Sequence, residues 1–167
     1  MQGLADGYVV LPDTIGDYLS DDIRTDAIPT DSKEFEEAEK AGDNQVNAYI
    51  NNKGNKSVDY FNKKLSKVRC DKVGIAQNAQ GLKEAIEEIK EIRGAFYKDV
   101  RVPGSTTGYN EELAKASRVA DFLELGELFA KDALEREESC GGHFRDEHQT
   151  HEGEAMRRHE FPYVSEW

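Results

Sequence analysis

Apolar residues recur three and four positions apart in four separate stretches of the chain, the spacing of one face of an α-helix. The first stretch carries Leu4, Tyr8, Leu11, Ile15, Tyr18 and Leu19. Pro12 lies inside it and should bend it, because the ring removes a backbone donor and crowds the preceding turn. Gly3 and Gly7 sit four residues apart on one face, where another backbone could approach closely, unless they merely loosen the helix. Three stronger amphipathic patterns follow. Val58, Phe61, Leu65 and Val68 define one, and Leu82, Ala85, Ile89, Ile92 and Phe96 a second. The third runs through Leu113, Ala116, Val119, Ala120, Leu123, Ala130 and Leu134, and adds Phe122, Leu125, Leu128 and Phe129 on another flank. Its apolar stripe is wider than one neighbouring helix needs. Ser57 and Asn110 are suited to cap their helices, and Glu111 and Glu112 to the positive end of the dipole.

Between these patterns the chain is polar. Pro29 separates two acidic stretches, Asp31 or Ser32 can cap a short helix beginning KEFEEAEK, and GDNQVNAYINNKGNK reads as a frayed helix end and loop. No run alternates with period two, so no substantial sheet is predicted. Helices over about 57–71, 79–98 and 110–138 imply an all-α fold, a three-helix up-and-down antiparallel bundle of the spectrin-repeat kind. The expected organisation is a terminal helical segment at 1–28, a linker with a short helix at 29–54, the bundle at 55–140 and an extended tail at 141–167.

Charge narrows the classes of partner. With 34 acidic against 22 basic side chains the net charge is −12, which argues against nonspecific nucleic-acid binding and against an anionic membrane surface. No apolar run has the length of a bilayer-spanning helix. The beginning MQGLADGYVV lacks the basic start and small-residue cleavage site of a secretory signal. Cys70 and Cys140 read as reduced thiols of a cytoplasmic protein.

The chemistry-bearing residues gather at one place. ESCGGHFRDEHQTHEG, residues 138–153, holds Cys140, His143, His148 and His151, and His159 follows; the chain has no other histidine. Cys140, His143, His148 and His151 could ligate zinc, but the set lacks the two compact, cysteine-rich ligand pairs of structural sites. A catalytic Cys–His pair would need an electropositive setting, and Glu137, Glu138, Asp146 and Glu147 supply the opposite. The third reading is a polar turn after the last helix, with His143 and Arg145 fixing the chain's exit path. There is no P-loop, dinucleotide fingerprint, His-Glu-x-x-His helix or Gly-x-Ser-x-Gly elbow. Adjacent acidic pairs such as Asp21–Asp22 and Glu87–Glu88 do not face each other on a helix and read as solvated surface.

ALEREESCGGHFRDEHQT resembles the C-terminal region of the succinate dehydrogenase and fumarate reductase flavoprotein subunit, which carries Glu-Ser-Arg-Gly-Ala-His-x-Arg-x-Asp after a long helix. Glu138, Ser139, Gly141, His143 and Arg145 match; Cys140 stands for the arginine, Gly142 for the alanine, and the Asp-x-Pro ending is absent. RVADFLELGELFAKDAL, DVRVPG and MQGLADGYVVLPDTIGDYL also resemble that family, in a Bacteroides-like branch with the Cys-Gly-Gly-His-Phe-Arg form. The resemblance implies that residues 1–28 are the last helix of an FAD-binding domain, which would explain Gly3 and Gly7. Asp13 then stands where an apolar or aromatic residue is expected. It also implies that flavin attachment, dicarboxylate binding and proton delivery reside in FAD-binding and capping domains upstream. The chain alone is therefore expected to hold no catalytic residue, bind no FAD and turn over no substrate, and its orphan helix makes self-association expected. The complete protein would pass electrons from succinate through FAD to an iron–sulfur subunit and a membrane cytochrome subunit, or in reverse to fumarate. It would lie peripherally on the cytoplasmic face of a bacterial inner membrane. An independent acidic helical interaction module is the alternative reading.

Overall fold

The computed structural model describes residues 2–22 and 26–158 and divides into two compact units, residues 1–40 and 41–167. In the first unit, α1 (Gln2–Ala5) runs through a π-helical segment (Asp6–Val10) into α2 (Leu11–Tyr18). The Leu11 N–H bonds the Asp6 carbonyl five residues back, and Pro12 opens α2 just beyond. Pro12 has no N–H to give the preceding turn, and a wider turn moves carbonyls away from its ring. The expected bend is thus taken up as a π segment. Leu4, Tyr8, Leu11 and Ile15 are all more than half exposed, and nothing comes within 4 Å of where a Cβ on Gly3 or Gly7 would stand.

α3 (Lys33–Asn51) crosses from the first unit into the second. It corrects the expectation of a short helix followed by a frayed, loop-like stretch: the Asn- and Gly-rich segment is helical to Asn51. The cause is Tyr49, only 2% exposed, which sits edge-on to Phe96 and stacks on Tyr97. Its hydroxyl accepts a 2.9 Å bond from Gln45 Nε2 one turn earlier. Residues 52–55 then wrap the end of the next-but-one helix. The Asn52 amide donates to the Tyr97 carbonyl, and the Asn55 N–H to the Asp99 carboxylate at 2.8 Å. Gly54 lies so close to the Asp99 carbonyl that any Cβ would overlap it.

The bundle consists of α4 (Val58–Lys72), α5 (Ala79–Asp99) and α6 (Glu111–Glu135). Ser57, Asn78 and Asn110 cap them, each accepting a backbone N–H from three residues on. Asn110 also donates to the Pro103 and Ser105 carbonyls, tying down the loop before α6. Two parallel strand pairs set the directions. β1 (Lys56–Ser57) pairs β3 (Val100–Arg101), which places the start of α4 beside the end of α5. β2 (Ala76–Gln77) pairs β4 (Phe144–Arg145), which places the α4–α5 turn beside the chain that follows α6. The helices therefore run up, down and up.

The main core joins Phe61 and Leu65 of α4, Ile89 and Phe96 of α5, and Leu123 of α6 with Tyr49. Gly126 sits at the three-helix junction, where a Cβ would meet Leu65 Cδ1 at 3.3 Å and Ile89 Cδ1 at 3.7 Å. A smaller cluster of Leu82, Ile86, Ala130 and Ala133 lies towards the α5 start and α6 end. α6 ends at Glu135 rather than 138, because the chain beyond it turns back to cover its terminus. The stretch after residue 140 is correspondingly not extended. Through Arg158 it is a run of tight, hydrogen-bonded turns. Phe122, Leu125, Leu128 and Phe129 remain exposed, with the Arg69 guanidinium 5.8 Å over the Phe129 ring.

Truncating a buried aromatic costs about 3–5 kcal/mol, whereas surface changes stay within about 0.5 kcal/mol. Tyr49→Ala should therefore lower the urea midpoint of the bundle strongly and Phe35→Ala, on the exposed part of α3, hardly at all. Equal midpoints for Tyr49→Ala and the unaltered chain would detach the end of α3 from the core.

Candidate functional site

A helix leaves its last four carbonyls without intrahelical partners and carries partial negative charge there. α6 meets both demands with a side chain from ten residues beyond. Arg145, 3% exposed, donates from Nη1 to the carbonyls of Ala133 at 2.7 Å, Leu134 at 3.1 Å and Arg136 at 3.3 Å. Its Nε donates to Glu147 Oε2 at 3.3 Å. The other Glu147 oxygen accepts the N–H of Ala79, the first residue of α5, at 2.6 Å. Because α5 and α6 run antiparallel, the start of one and the end of the other are neighbours. One Arg–Glu pair thus spans both, each charge on the helix end of opposite sign.

The loop is built to hold Arg145 in place. Ser139, fully buried, accepts the Arg145 N–H at 2.8 Å and donates its hydroxyl to the Arg145 carbonyl at 3.2 Å. The Ser139 N–H is bound in turn to the Met156 carbonyl. Cys140 and His143 exchange backbone bonds across a two-residue turn. Gly141 at its first central position has φ +59°, the left-handed region a type II′ turn needs there. That turn brings the His143 ring over the end of α6. Nε2 is 3.1 Å from the Arg136 carbonyl and Nδ1 is 2.9 Å from Gln77 Nε2. A carbonyl only accepts, so Nε2 carries the proton and Nδ1 accepts from Gln77. Burial first, then the guanidiniums of Arg136 and Arg145, hold the His143 pKa below its usual 6.5 against the pull of the Arg136 carbonyl and Glu138.

Glu138, also buried, accepts from Arg136 Nη2 at 2.7 Å and from the Arg158 N–H at 3.1 Å. Burial would raise its pKa and that of Glu147. Arg136 and the Arg158 N–H at Glu138, and the Ala79 N–H and Arg145 at Glu147, outweigh it and leave both carboxyls below the ordinary range. The expected unrelieved negative field around Cys140 is corrected on this point: three of its four carboxylates are paired with arginines, Glu137 with Arg158, Glu138 with Arg136 and Glu147 with Arg145.

Glu138, Ser139, Gly141, His143 and Arg145 are therefore brought together in one loop. His148 contributes its backbone, and His151 is exposed on the Thr150–Gly153 turn. Among the described residues no three His, Cys, Asp or Glu side chains gather as a metal would require, Cys140, His143, His148 and His151 included. His159 lies outside the described residues. Both His143 nitrogens and the Ser139 hydroxyl are engaged in the loop, so the arrangement locks helix ends together. Sequence reasoning missed Gln77, the Ala79 N–H and the capping role of Glu147. The first two lie 66 and 68 residues from the loop side chains they meet and carry no local signal.

Beside the loop a cleft of about 440 Å³ is lined by Arg69, Ile75, Gln77, Phe129, Arg136 and His143, among others. It does not fit a flavin dinucleotide. Among the described residues the strands are two residues long and build no sheet across which one could lie, and Gln77 and Arg136 are already bonded within the loop.

A family model described as fumarate reductase flavoprotein C-term matches residues 62–166. The fumarate reductase flavoprotein subunit of Helicobacter pylori is 28% identical over 131 residues, 78% of this chain and 18% of that protein. An uncharacterized FAD-dependent oxidoreductase of Methanocaldococcus jannaschii is 34% identical over 95 residues, 57% of this chain and 16% of that protein. Among solved structures, Mycobacterium smegmatis Sdh1 in complex with UQ1 aligns with TM-score 0.61 and 28% identity, over 74% of this chain and 20% of that one. The chain thus spans about a fifth of the length of the relatives it matches.

Ser139→Ala orphans the buried Arg145 N–H and should cost about 1–3 kcal/mol in denaturant unfolding. The His143 pKa is depressed, so the unfolded chain binds the extra proton, and stability should fall as pH drops below 6.5. The glutamate contributions are lost only below about 4.5. A His143→Gln chain should lose the first slope and keep the second. Identical urea midpoints at pH 7.5 and 5.5 in the unaltered chain would refute the neutral, half-buried histidine.

Proposed function

The chain belongs to the family of fumarate reductase flavoprotein C-terminal domains, and from that premise we propose that it is the helical brace of a succinate- or fumarate-converting flavoprotein. In the complete protein, hydride passes between the dicarboxylate and FAD. Electrons then move between the flavin and an iron–sulfur subunit and a membrane cytochrome subunit, at the cytoplasmic face of a bacterial inner membrane. This chain contributes no catalytic group and no flavin site. Its part is to pack against the FAD-binding portion and to help dock the iron–sulfur subunit.

The observation that carries the brace reading is the first helix. Leu4, Tyr8, Leu11 and Ile15 form an apolar stripe that is more than half exposed throughout. A stripe of that length on a helix is stable in water only when another surface covers it. Gly3 and Gly7, where a Cβ would meet nothing within 4 Å among the described residues, leave the same helix open to a close backbone approach. An FAD-binding domain is the surface this reading assigns to it.

Two measurements test the proposal. The purified 167-residue chain should show no flavin absorbance. Co-expressed with an FAD-binding portion of a parent flavoprotein, it should co-elute with it, and Leu4→Glu with Ile15→Glu should abolish co-elution while leaving the bundle's unfolding unchanged. Stoichiometric flavin on the chain alone, or full co-elution of the double variant, would sink the reading.

A further inference from the structure

The chain is acidic overall, but one helix is not. Residues 53–72 carry seven Lys and Arg against two carboxylates, Asp59 and Asp71, while the whole chain stands at −12. Elsewhere lysines are held by glutamates: Lys72, Lys90, Lys115 and Lys131 each have a carboxylate within 2.9 Å. Lys63, Lys64 and Lys67 have no such partner among the described residues. With Tyr60 they occupy positions i, i+3, i+4 and i+7 of α4, one continuous face. It flanks the face of Phe61, Leu65 and Val68, which are buried in the bundle, and all four residues are exposed. Tyr60 is flanked by cations, with Lys56 Nζ 5.2 Å and Lys64 Nζ 5.3 Å from its ring centroid. Beside it a groove of about 250 Å³ opens between α4 and α5, with Glu91 and Asp99 on its far side.

We propose that this face of α4 is a docking surface for an acidic patch on a partner protein. Neighbouring like charges repel, and a partner that supplies carboxylates relieves that repulsion while steering its own approach. The patch is one helix long, about 22 Å for fifteen residues, with carboxylates at both ends and on the α5 side. An extended polyanion would meet those carboxylates and the acidic remainder of the chain. A bilayer would further require apolar side chains to insert, and those of α4 are buried in the bundle. A compact acidic surface matches the lysines and Tyr60 without either conflict. The inference goes beyond the brace reading and stands or falls without it.

The test uses the full chain and an immobilised glutamate hexapeptide, about 20 Å when extended and so no longer than the patch, with phosphatidylglycerol vesicles and single-stranded DNA as parallel probes. The chain should bind the acidic peptide in a salt-sensitive manner, and bind neither of the others. A Lys63→Glu, Lys64→Glu, Lys67→Glu chain should bind the peptide weaker by about tenfold or more. A Lys40→Glu, Lys83→Glu, Lys98→Glu chain of the same net charge should stay within about twofold of the original. These lysines are exposed, and an unchanged helical spectrum verifies that both variants fold. Equal losses in the two variants, no binding to the acidic peptide, or preferential binding to vesicles or DNA would each overturn the proposal.

Discussion

The end of α6 would be an exposed row of unpaired carbonyls if Arg145 did not reach back across it, and much of the bundle's C-terminal end follows from that one side chain. The guanidinium occupies three carbonyls and still has Nε for Glu147, whose second oxygen caps the start of α5. Opposite charges on opposite helix ends are favourable only where the helices run antiparallel and in register. The pair therefore specifies how far α5 and α6 slide past each other. A guanidinium, with its planar fork of donors, can satisfy several carbonyls at once; an ammonium cannot do so from one position.

Everything else in the loop serves that placement. Ser139 holds both backbone groups of Arg145, Gly141 allows the turn that returns the chain, and His143 covers the last carbonyl while reaching Gln77. The smaller core of Leu82, Ile86, Ala130 and Ala133 lies on the same terminal parts of α5 and α6. The polar lock and the apolar cluster thus fasten one end of the bundle, as the strand pair β1–β3 and the wrap of residues 52–55 fasten the other. The histidine and cysteine that draw the eye in the sequence are parts of a fastening.

The three bundle helices were legible because their apolar residues repeat at helical spacing and polar caps stand at their starts. Ser57 and Asn110 cap as their positions suggest. Composition alone extends α6 three residues too far, since Arg136 to Glu138 continue a helix-forming composition and nothing local announces Arg145's grip. The end of α3 reads as loop for the converse reason. Asn and Gly around Tyr49 lower helix propensity, and only rings more than forty residues away reward the helical conformation. Pro12 was recognised as a disturbance, while the form it takes, a π segment, depends on how the preceding turn relaxes.

By itself the sequence determined the three bundle helices, which of their faces are apolar, and that Glu138, Ser139, Gly141, His143 and Arg145 resemble a signature of this family. These are properties of near neighbours in the chain, and periodicity or motif spacing records them. The tertiary structure alone decided what the signature does. Gln77 and the Ala79 N–H come to it from the start of α5, and the carbonyls it caps come from the end of α6. Their meeting depends on the antiparallel register of two packed helices. The same packing decided which flank of α4 stays outside, with Lys63, Lys64 and Lys67 exposed on it. Contacts of this kind are set by burial across long sequence separations, and no local pattern encodes them.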